Sequence, residues 1–153
     1  MPRVQREANV TWEGNVARGS GEISAATGAF TGLPYSLATR IGNPEGKTSP
    51  EELVAAAHAA CFAMSLAGEL AGAASPPDHL DVRAVVTLDE VKDGSHRIVS
   101  SELFARARVK ETDQEKLDEL AVSASRGCPL TKLIEASAKV TVTATLEGES
   151  DGD

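Results

Sequence analysis

Aromatic residues are scarce in this sequence: they make up 3% of the 153 residues, with a single Trp and a single Tyr. A core without many rings is filled mainly by small aliphatic side chains, which favours closely packed helices. Burial of further surface in an oligomer would supplement such a core. The chain length fits one domain with a hydrophobic core of its own.

Basic residues are also few, with 15 Lys and Arg against 23 Asp and Glu and a net charge of −8. Nucleic acids and anionic membranes are bound through basic patches, so we expect neither as a partner. The uncharged run at 53–68 is shorter than the roughly 20 residues of a membrane span. The N-terminal residues contain no apolar, signal-like segment. These features predict a soluble, cytoplasmic protein.

Cysteine occurs twice, as Cys61 and Cys128. In a reducing compartment, two inert thiols or a transient catalytic pair are more expected than a permanent structural disulfide. A metal site needs about four ligands, whereas the sequence has no C-x-x-C motif and no clustered pair among its three His residues. We therefore expect no metal.

Hydrophobic periodicity and turn residues divide the chain into elements of α+β type. The predicted elements are strands at 9–16, 21–30 and 33–41, a helix at 49–70, strands at 80–91 and 97–109, helices at 112–127 and 129–137, and a strand at 139–147. Strand–helix alternation is too short for a doubly wound fold, so the pattern predicts an antiparallel sheet. We expect a single domain over 1–147, followed by an acidic, disordered tail at 148–153.

The helix at 49–70 has the clearest start signal in the chain. Ser49 is a good N-cap, Pro50 suits the first helical position, and Glu52 completes a capping box, which leaves Glu51 free. Small or apolar residues cover two adjacent stripes of this helix, so we expect it to be buried nearly all round.

The preceding loop contains Gly46-Lys47-Thr48, which is similar to part of a phosphate-binding P-loop. The spacing from Gly42 is one residue short, and Pro50 follows where the helix of a P-loop would already be running. The pattern therefore does not favour nucleotide binding.

Local physical chemistry predicts that the two thiols differ in how readily they form a thiolate. Cys61 lies in mid-helix among alanines, where burial keeps a thiol inert unless a nearby cation stabilises the thiolate, and Arg40 is the best candidate for that cation. Cys128 is predicted at a helix N-cap, where unpaired N–H groups favour a thiolate. From the residues alone, Cys128 would be the nucleophile.

His58, three residues before Cys61, has two interpretations. It could activate Cys61 in a hydrolase or acyl transferase, but a hydrogen-bonded core histidine is the more ordinary assignment. Arg18, between two Gly-rich segments, is interpreted as a solvated loop charge that could still reach a site.

Several motifs together resemble the signature of the OsmC/Ohr family of thiol-dependent peroxidases. They are PEEL at 50–53, AHAACF at 57–62 and GCP at 127–129, while WEG at 12–14 and the segment at 34–40 are more similar to the OsmC branch. The resemblance implies an intertwined homodimer in which antiparallel sheets wrap around two long central helices. It also implies that Cys61 is peroxidatic, Cys128 is resolving, and Arg40 supports the thiolate with Glu51 orienting it. In the Ohr branch the arginine comes from an earlier loop, which would favour Arg18; we prefer Arg40.

The implied reaction reduces an organic hydroperoxide to an alcohol through a Cys61 sulfenic acid and a Cys61–Cys128 disulfide. An external dithiol, of the dihydrolipoamide type, would recycle the enzyme, with no metal or bound organic cofactor. Apolar surroundings that include Phe62 and Met64 favour alkyl peroxides over hydrogen peroxide. The opposing hypothesis is a non-enzymatic, stress-related binding dimer with an apolar pocket.

Helical geometry adds one expectation. Glu51 and Cys61 are ten positions apart, which is about 15 Å along a helix axis at about 1.5 Å per residue. Glu51 is therefore too far along the helix to position an arginine at the thiol of its own chain. We expect active sites shared across a two-fold interface, with Arg40 and Glu51 of one protomer facing the thiols of its partner.

Overall fold

The computed structural model describes residues 1–148. The chain divides into two compact units, Met1–Leu53 and Val54–Asp153, and the division falls in the first turn of the longest helix. The single domain over 1–147 therefore stays a prediction. The predicted disordered tail lies outside the described residues, except for residue 148.

The first unit contains an antiparallel sheet with strand order β1 (Ala8–Glu13), β2 (Ser20–Ala25) and β3 (Leu33–Tyr35). The three strands predicted at 9–16, 21–30 and 33–41 are present as a meander, but the third is shorter than expected. Residues Leu37–Ile41 form a short helix, α1. Its cap is Ser36, whose hydroxyl accepts a hydrogen bond from the Thr39 amide at 3.2 Å. The alternating pattern at 33–41 was wrong as a strand signal because this cap starts a helix.

Helix α2 spans Pro50–Gly72 and begins as predicted. The Ser49 hydroxyl accepts a hydrogen bond from the Glu52 amide at 3.1 Å. The return arm of the capping box differs from the prediction, since the Glu52 carboxylate accepts from the Thr48 hydroxyl at 2.8 Å. Glu51 remains free of the cap.

One face of α2 is buried and the neighbouring face is open. The buried residues are His58, Phe62, Leu66 and Leu70. Met64, by contrast, is 77% exposed. The expectation of burial nearly all round is wrong for the single chain, because nothing covers the face that carries Ala57, Ala60 and Met64 within residues 1–148.

Helix α2 is also longer than the uncharged run inside it. The helix has 23 residues, and an 18-residue stretch of it has a mean hydropathy of 1.5, so it meets the length and composition of a membrane span. Against that assignment, its buried stripe packs into the core of the second unit. A buried histidine with two hydrogen-bond partners lies on the same stripe. We interpret α2 as the core helix of a soluble protein.

The second unit places three strands and two further helices after α2. They are β4 (Pro77–Glu90), β5 (His96–Val109), α3 (Gln114–Gly127), α4 (Pro129–Glu135) and β6 (Lys139–Leu146). Strands β4 and β5 form the predicted antiparallel hairpin, but β6 pairs parallel to β5. The α+β class is confirmed, whereas the expectation of purely antiparallel sheets is wrong here. The reason is that α3 and α4 form a crossover, which returns the chain in the same direction.

The core of this unit lies between α2, α3 and the sheet. It contains Phe62 of α2, Leu103 of β5 and Leu117 of α3, each less than 2% exposed. Helix α3, predicted at 112–127, is amphipathic, and its N-cap is Asp113. The Asp113 carboxylate accepts a hydrogen bond from the Lys116 amide at 2.8 Å.

Candidate active site

The two cysteines, far apart in sequence, meet in the second unit. Cys61 lies in the middle of α2, and Cys128 is the N-cap of α4. Their sulfur atoms are 2.9 Å apart, and both residues are free thiols. Cys128 is fully buried and Cys61 is half-buried. This contact brings two redox-capable side chains into reacting distance.

The surroundings of Cys61 disfavour its thiolate. Burial raises the pKa of Cys61, the hydrogen bond with Cys128 raises it further, and the Leu130 amide opposes both effects. Within residues 54–148, no cation is among the groups that shift this pKa. A peroxidatic Cys61 therefore needs a positive charge from outside this unit.

The surroundings of Cys128 act in the opposite direction. Burial by itself would raise the pKa of Cys128, but hydrogen bonds from Cys61, from the amide and hydroxyl of Thr131 and from the Leu130 amide outweigh it and lower the pKa. This agrees with the sequence-based expectation that Cys128, at the start of a helix, is the more acidic thiol.

Arg40 and Glu51 form a bidentate ion pair in the first unit. Arg40 Nε donates to both carboxylate oxygens of Glu51, at 3.1 and 3.0 Å, and Nη2 donates to Oε1. The hydrogen bond to Glu51 raises the pKa of Arg40, and the same bond lowers the pKa of Glu51. Arg40 lies in the last turn of α1, where a cation is favoured. The expected orientation of Arg40 by Glu51 is thus present as a contact.

Arg18, the alternative arginine, lies in the turn between β1 and β2 and is exposed. Its backbone N–H donates to the Asn15 side chain at 3.0 Å. Glu51 pairs with Arg40, so the structure supplies an oriented guanidinium at Arg40 and none at Arg18 among the described residues.

A small apolar cavity of about 190 Å³ adjoins Arg40 in the first unit. Its lining consists of Trp12, Val16, Tyr35, Ser36, Leu37 and Arg40. The segments at 12–14 and 34–40 are recognisable in the sequence as signature motifs, but they did not predict this cavity.

The strand register explains how the only Trp and the only Tyr of the chain come together. Gly21 of β2 pairs with Trp12 on one side and with Tyr35 on the other. The ring centroids are 5.5 Å apart. A Cβ on Gly21 would lie 2.5 Å from Tyr35 Cε1 and 2.9 Å from Trp12 Cε3, so only glycine lets both rings cross this position. The signal that could have revealed the cavity is a glycine on the middle predicted strand with one aromatic residue on each neighbouring strand.

Phe62 does not serve as expected. Phe62 is 0% exposed and belongs to the core of the second unit, so it cannot contact a substrate there. Met64 is on the open face of α2. The apolar character near the arginine comes from Trp12, Val16 and Tyr35 instead.

His58 is fully buried, and both of its ring nitrogens have hydroxyl partners. Nδ1 is 2.7 Å from the Ser101 hydroxyl, and Nε2 is 2.9 Å from the Thr131 hydroxyl. Burial lowers the pKa of His58, so the imidazole is neutral near pH 7. This geometry favours the core-histidine interpretation, because no ring nitrogen is left to deprotonate Cys61 in a hydrolase.

Two other chemistries considered from the sequence lack a site in the described residues. The Thr48 amide donates to the Pro34 carbonyl at 3.0 Å, and its hydroxyl is used by Glu52, so neither group is available to a phosphate. Residues 1–148 contain no group of three or more His, Cys, Asp and Glu side chains arranged to hold a metal ion.

Comparisons with known proteins agree with this geometry. The family model described as "OsmC-like protein" matches residues 42–143. The chain is 35% identical over 133 residues to the Peroxiredoxin OsmC proteins of Escherichia coli K12 and Shigella flexneri, covering 87% of this chain and 92% of theirs.

Solved structures show the same fold. The organic hydroperoxide resistance protein OhrB of Bacillus subtilis superposes with a TM-score of 0.72 at 26% identity, covering 91% of this chain and 98% of that one. An organic hydroperoxide resistance protein OsmC from Legionella pneumophila gives a TM-score of 0.74 at 19% identity, covering 94% and 99%.

Proposed function

This chain belongs to the OsmC-like family, and on that premise we propose that it is a thiol-dependent peroxidase that reduces organic hydroperoxides to alcohols. The observation that carries the proposal is the contact between two free thiols, with sulfur atoms 2.9 Å apart. The names of its relatives, which refer to a peroxiredoxin and to organic hydroperoxide resistance, support the same chemistry.

In the first step, the Cys61 thiolate attacks the terminal oxygen of a hydroperoxide. The O–O bond breaks, the alkoxide takes up a proton and leaves as the alcohol, and Cys61 becomes a sulfenic acid. An arginine beside the thiolate lowers the pKa of Cys61 and stabilises the charge that develops on the departing oxygen. Arg40, which donates three hydrogen bonds to Glu51, is preorganised for that role.

In the second step, the Cys128 sulfur attacks the sulfur of the sulfenic acid. The S–O bond breaks, a disulfide forms, and the hydroxide leaves with the Cys128 proton as water. A dithiol of the dihydrolipoamide type then reduces the disulfide by two thiol exchanges and is itself oxidised to a cyclic disulfide. These steps use no bound metal or organic cofactor.

The active form in this proposal is a homodimer with shared sites. Residues 54–148 supply no cation to Cys61, and Glu51 is about 15 Å farther along the same helix axis. The partner's Arg40 and Glu51 would supply the missing charge. The open face of α2, with Met64 at 77% exposure, is the surface that such an interface would cover.

The cavity beside Arg40 supports an organic substrate rather than hydrogen peroxide. Trp12, Val16 and Leu37 offer an apolar surface to an alkyl or aryl group while Arg40 faces the peroxide. Hydrogen peroxide has no group that gains from this surface.

The proposed cycle returns both cysteines to thiols, which requires a reducing compartment where an intracellular dithiol can restore them. We therefore include a cytoplasmic location in the proposal.

Loss of cumene hydroperoxide in the presence of dihydrolipoamide tests the function. We expect Cys61→Ser to lose turnover and Cys128→Ser to accumulate a Cys61 sulfenic acid that dimedone traps. Ser123→Ala, at an exposed position of α3, should keep the wild-type rate. If both cysteine variants consume peroxide like the wild type, the peroxidase proposal is wrong and the non-enzymatic binding dimer becomes the better hypothesis.

A further inference from the structure

A buried chain of hydrogen bonds leads from β5 through α2 to α4. It joins the Ser101 hydroxyl to His58 Nδ1 at 2.7 Å, and His58 Nε2 to the Thr131 hydroxyl at 2.9 Å. Ser101, His58, Thr131 and Cys128 are each 0% exposed. Buried polar groups shielded from water depend entirely on one another for hydrogen bonds, so the direction of each bond constrains the next.

A neutral imidazole has one N–H donor and one acceptor nitrogen. In residues 1–148 the Ser101 hydroxyl has His58 as its hydrogen-bond partner and no other. The Ser101 hydroxyl is therefore satisfied as a donor only when it donates to Nδ1. That arrangement places the His58 proton on Nε2, which then donates to the Thr131 oxygen.

Thr131 is three residues after Cys128, in the first turn of α4. Cys128 is the extended N-cap of α4. The Thr131 hydroxyl hydrogen-bonds to its sulfur and lowers the pKa of Cys128, so the hydroxyl lies beside the cysteine sulfur. When His58 donates to the Thr131 oxygen, the Thr131 hydrogen is free to point at Cys128. With the opposite tautomer, Thr131 would donate to His58 and would have no hydrogen left for the sulfur.

We propose that His58 is a positioning residue for Cys128: with its proton held on Nε2 by Ser101, it turns the Thr131 hydroxyl toward the Cys128 sulfur and favours the thiolate that attacks the Cys61 sulfenic acid. The inference rests on the proposed peroxidase function for the attack itself, but not for the hydrogen bonds. It gives His58 a role different from activation of Cys61.

Few other ionisable groups act on this chain of hydrogen bonds. Cys61 contacts the Cys128 sulfur directly. Glu135 of α4 favours the protonated form of His58, but burial outweighs it and the pKa of His58 is lowered. His58 therefore stays neutral, and the chain keeps its direction, across the range in which a thiol such as Cys128 titrates.

The first test needs no peroxide. In a Cys61→Ser background, Cys128 is the only thiol, and its titration is followed by thiolate absorbance in the ultraviolet. Thr131→Val removes the hydroxyl at nearly constant shape, whereas Thr131→Ser keeps it. We expect the Cys128 pKa to rise in Thr131→Val and to stay near the parent value in Thr131→Ser.

We call the series of hydrogen bonds from Ser101 through His58 and Thr131 to Cys128 the relay. Variants at its Ser101 end separate the relay from a packing effect at the sulfur. Ser101→Ala, at a residue three hydrogen bonds away from the sulfur, should also raise the Cys128 pKa, because nothing then holds the proton on Nε2. His58→Gln keeps an N–H donor toward Thr131 and should rescue most of the effect that His58→Leu produces. Nitrogen chemical shifts of His58 report the tautomer directly in the parent protein.

A single-turnover experiment then connects the relay to resolution. After one equivalent of cumene hydroperoxide, Thr131→Val should form the sulfenic acid at the parent rate but convert it to disulfide more slowly. At a pH below the Cys128 pKa the slowing is about three- to fourfold for each unit by which the pKa rises, because the higher nucleophilicity of a more basic thiolate offsets part of the smaller thiolate fraction. An unchanged Cys128 pKa in either Thr131→Val or Ser101→Ala overturns the relay, because each residue is a necessary link in it. If those pKa values rise but no variant or parent protein consumes peroxide, the relay stands and the peroxidase proposal fails.

Discussion

Cys61 and Cys128 touch through their sulfurs but have different surroundings. Burial raises the pKa of Cys61, whereas hydrogen bonds around Cys128 outweigh its burial and lower the pKa. In the isolated chain the acidic thiol is therefore the one assigned to resolution. If Cys61 is the peroxidatic residue, an arginine must lower its pKa below that of Cys128. Arg40, which is paired with Glu51, is the best-oriented arginine among the described residues.

Removal of the Glu51 charge should alter stability in a pH-dependent way. The pKa of Glu51 in the folded protein is held below its ordinary value of 4.5 by the hydrogen bond from Arg40. Its stabilising contribution is then complete above pH 4.5 and is lost as the pH falls through the folded-state value. Urea unfolding of the wild type and of Glu51→Gln should give free energies that differ most near pH 7 and converge in acid. A difference that grows in acid would contradict the ion pair.

Trp12 should determine the preference for organic substrates. Loss of one apolar contact in a pocket costs about 1–3 kcal/mol, so Trp12→Ala should lower kcat/KM for cumene hydroperoxide by about tenfold or more and change kcat/KM for hydrogen peroxide little. Trp12→Phe keeps a ring and should retain most of the preference. An equal loss for both peroxides would show that the cavity beside Arg40 does not hold the substrate.

The two thiols, Arg40 and Glu51 could be proposed from the sequence because each lies in a short motif, and the structure adds that Arg40 contacts Glu51 and that the two sulfurs are 2.9 Å apart. The sequence could not identify the partners of His58, since Ser101 and Thr131 are 43 and 73 positions away and carry no motif of their own. It also misassigned Phe62 to the substrate site. Consecutive residues of a helix point in different directions, so Phe62 does not face the same way as Cys61. Only the fold shows which of these directions faces the core.

Among the elements, α2 carries most of the site. Its start was readable from Ser49 and Glu52, because caps are local hydrogen-bonding patterns. Helix α1 and the parallel pairing of β6 were not predicted. In α1 a strand-like alternation hides a cap at Ser36, and in β6 the pairing partner depends on the path of α3 and α4 rather than on local sequence.

The cap at Ser49 should be worth a measurable amount. Ser49→Ala removes the hydrogen bond to the Glu52 amide, and loss of such a cap costs about 1 kcal/mol. The matched change Ser123→Ala, at an exposed position inside α3, should be neutral or stabilise by a few tenths of a kcal/mol. Urea unfolding followed by circular dichroism compares the two. Equal stability of both variants would mean that the cap contributes nothing.

For the whole molecule, the scarcity of aromatics predicted a core of small side chains and further surface buried in an oligomer. The chain has a core in its second unit, yet α2 leaves a small-residue face open with Met64 upon it. A homodimer that covers this face would explain why a helix with so few charges stays soluble.

Met64→Glu tests that interface. A charge on the open face of α2 should shift the protein to monomer in sedimentation velocity and abolish peroxide turnover, because a buried unpaired charge is costly. Val122→Glu, which places the same charge on an exposed apolar position of α3, should leave the dimer intact. A fully active Met64→Glu monomer would contradict shared sites.

Complementation tests the shared site itself. A mixture of Arg40→Ala and Cys61→Ser proteins, each inactive alone, should regain up to about one quarter of the wild-type rate after subunit exchange. The reason is that heterodimers are half of a random mixture and each contains one complete site. No recovery, despite proven exchange, would place Arg40 and Cys61 of one site on the same chain.

The most direct measurement of the central claim is mass spectrometry of the reduced protein after one equivalent of cumene hydroperoxide, without reductant. A Cys61-to-Cys128 disulfide, with the loss of two hydrogen atoms and no retained oxygen, is the predicted product. Thiols that remain unchanged while the peroxide persists would contradict a peroxidase built on this pair.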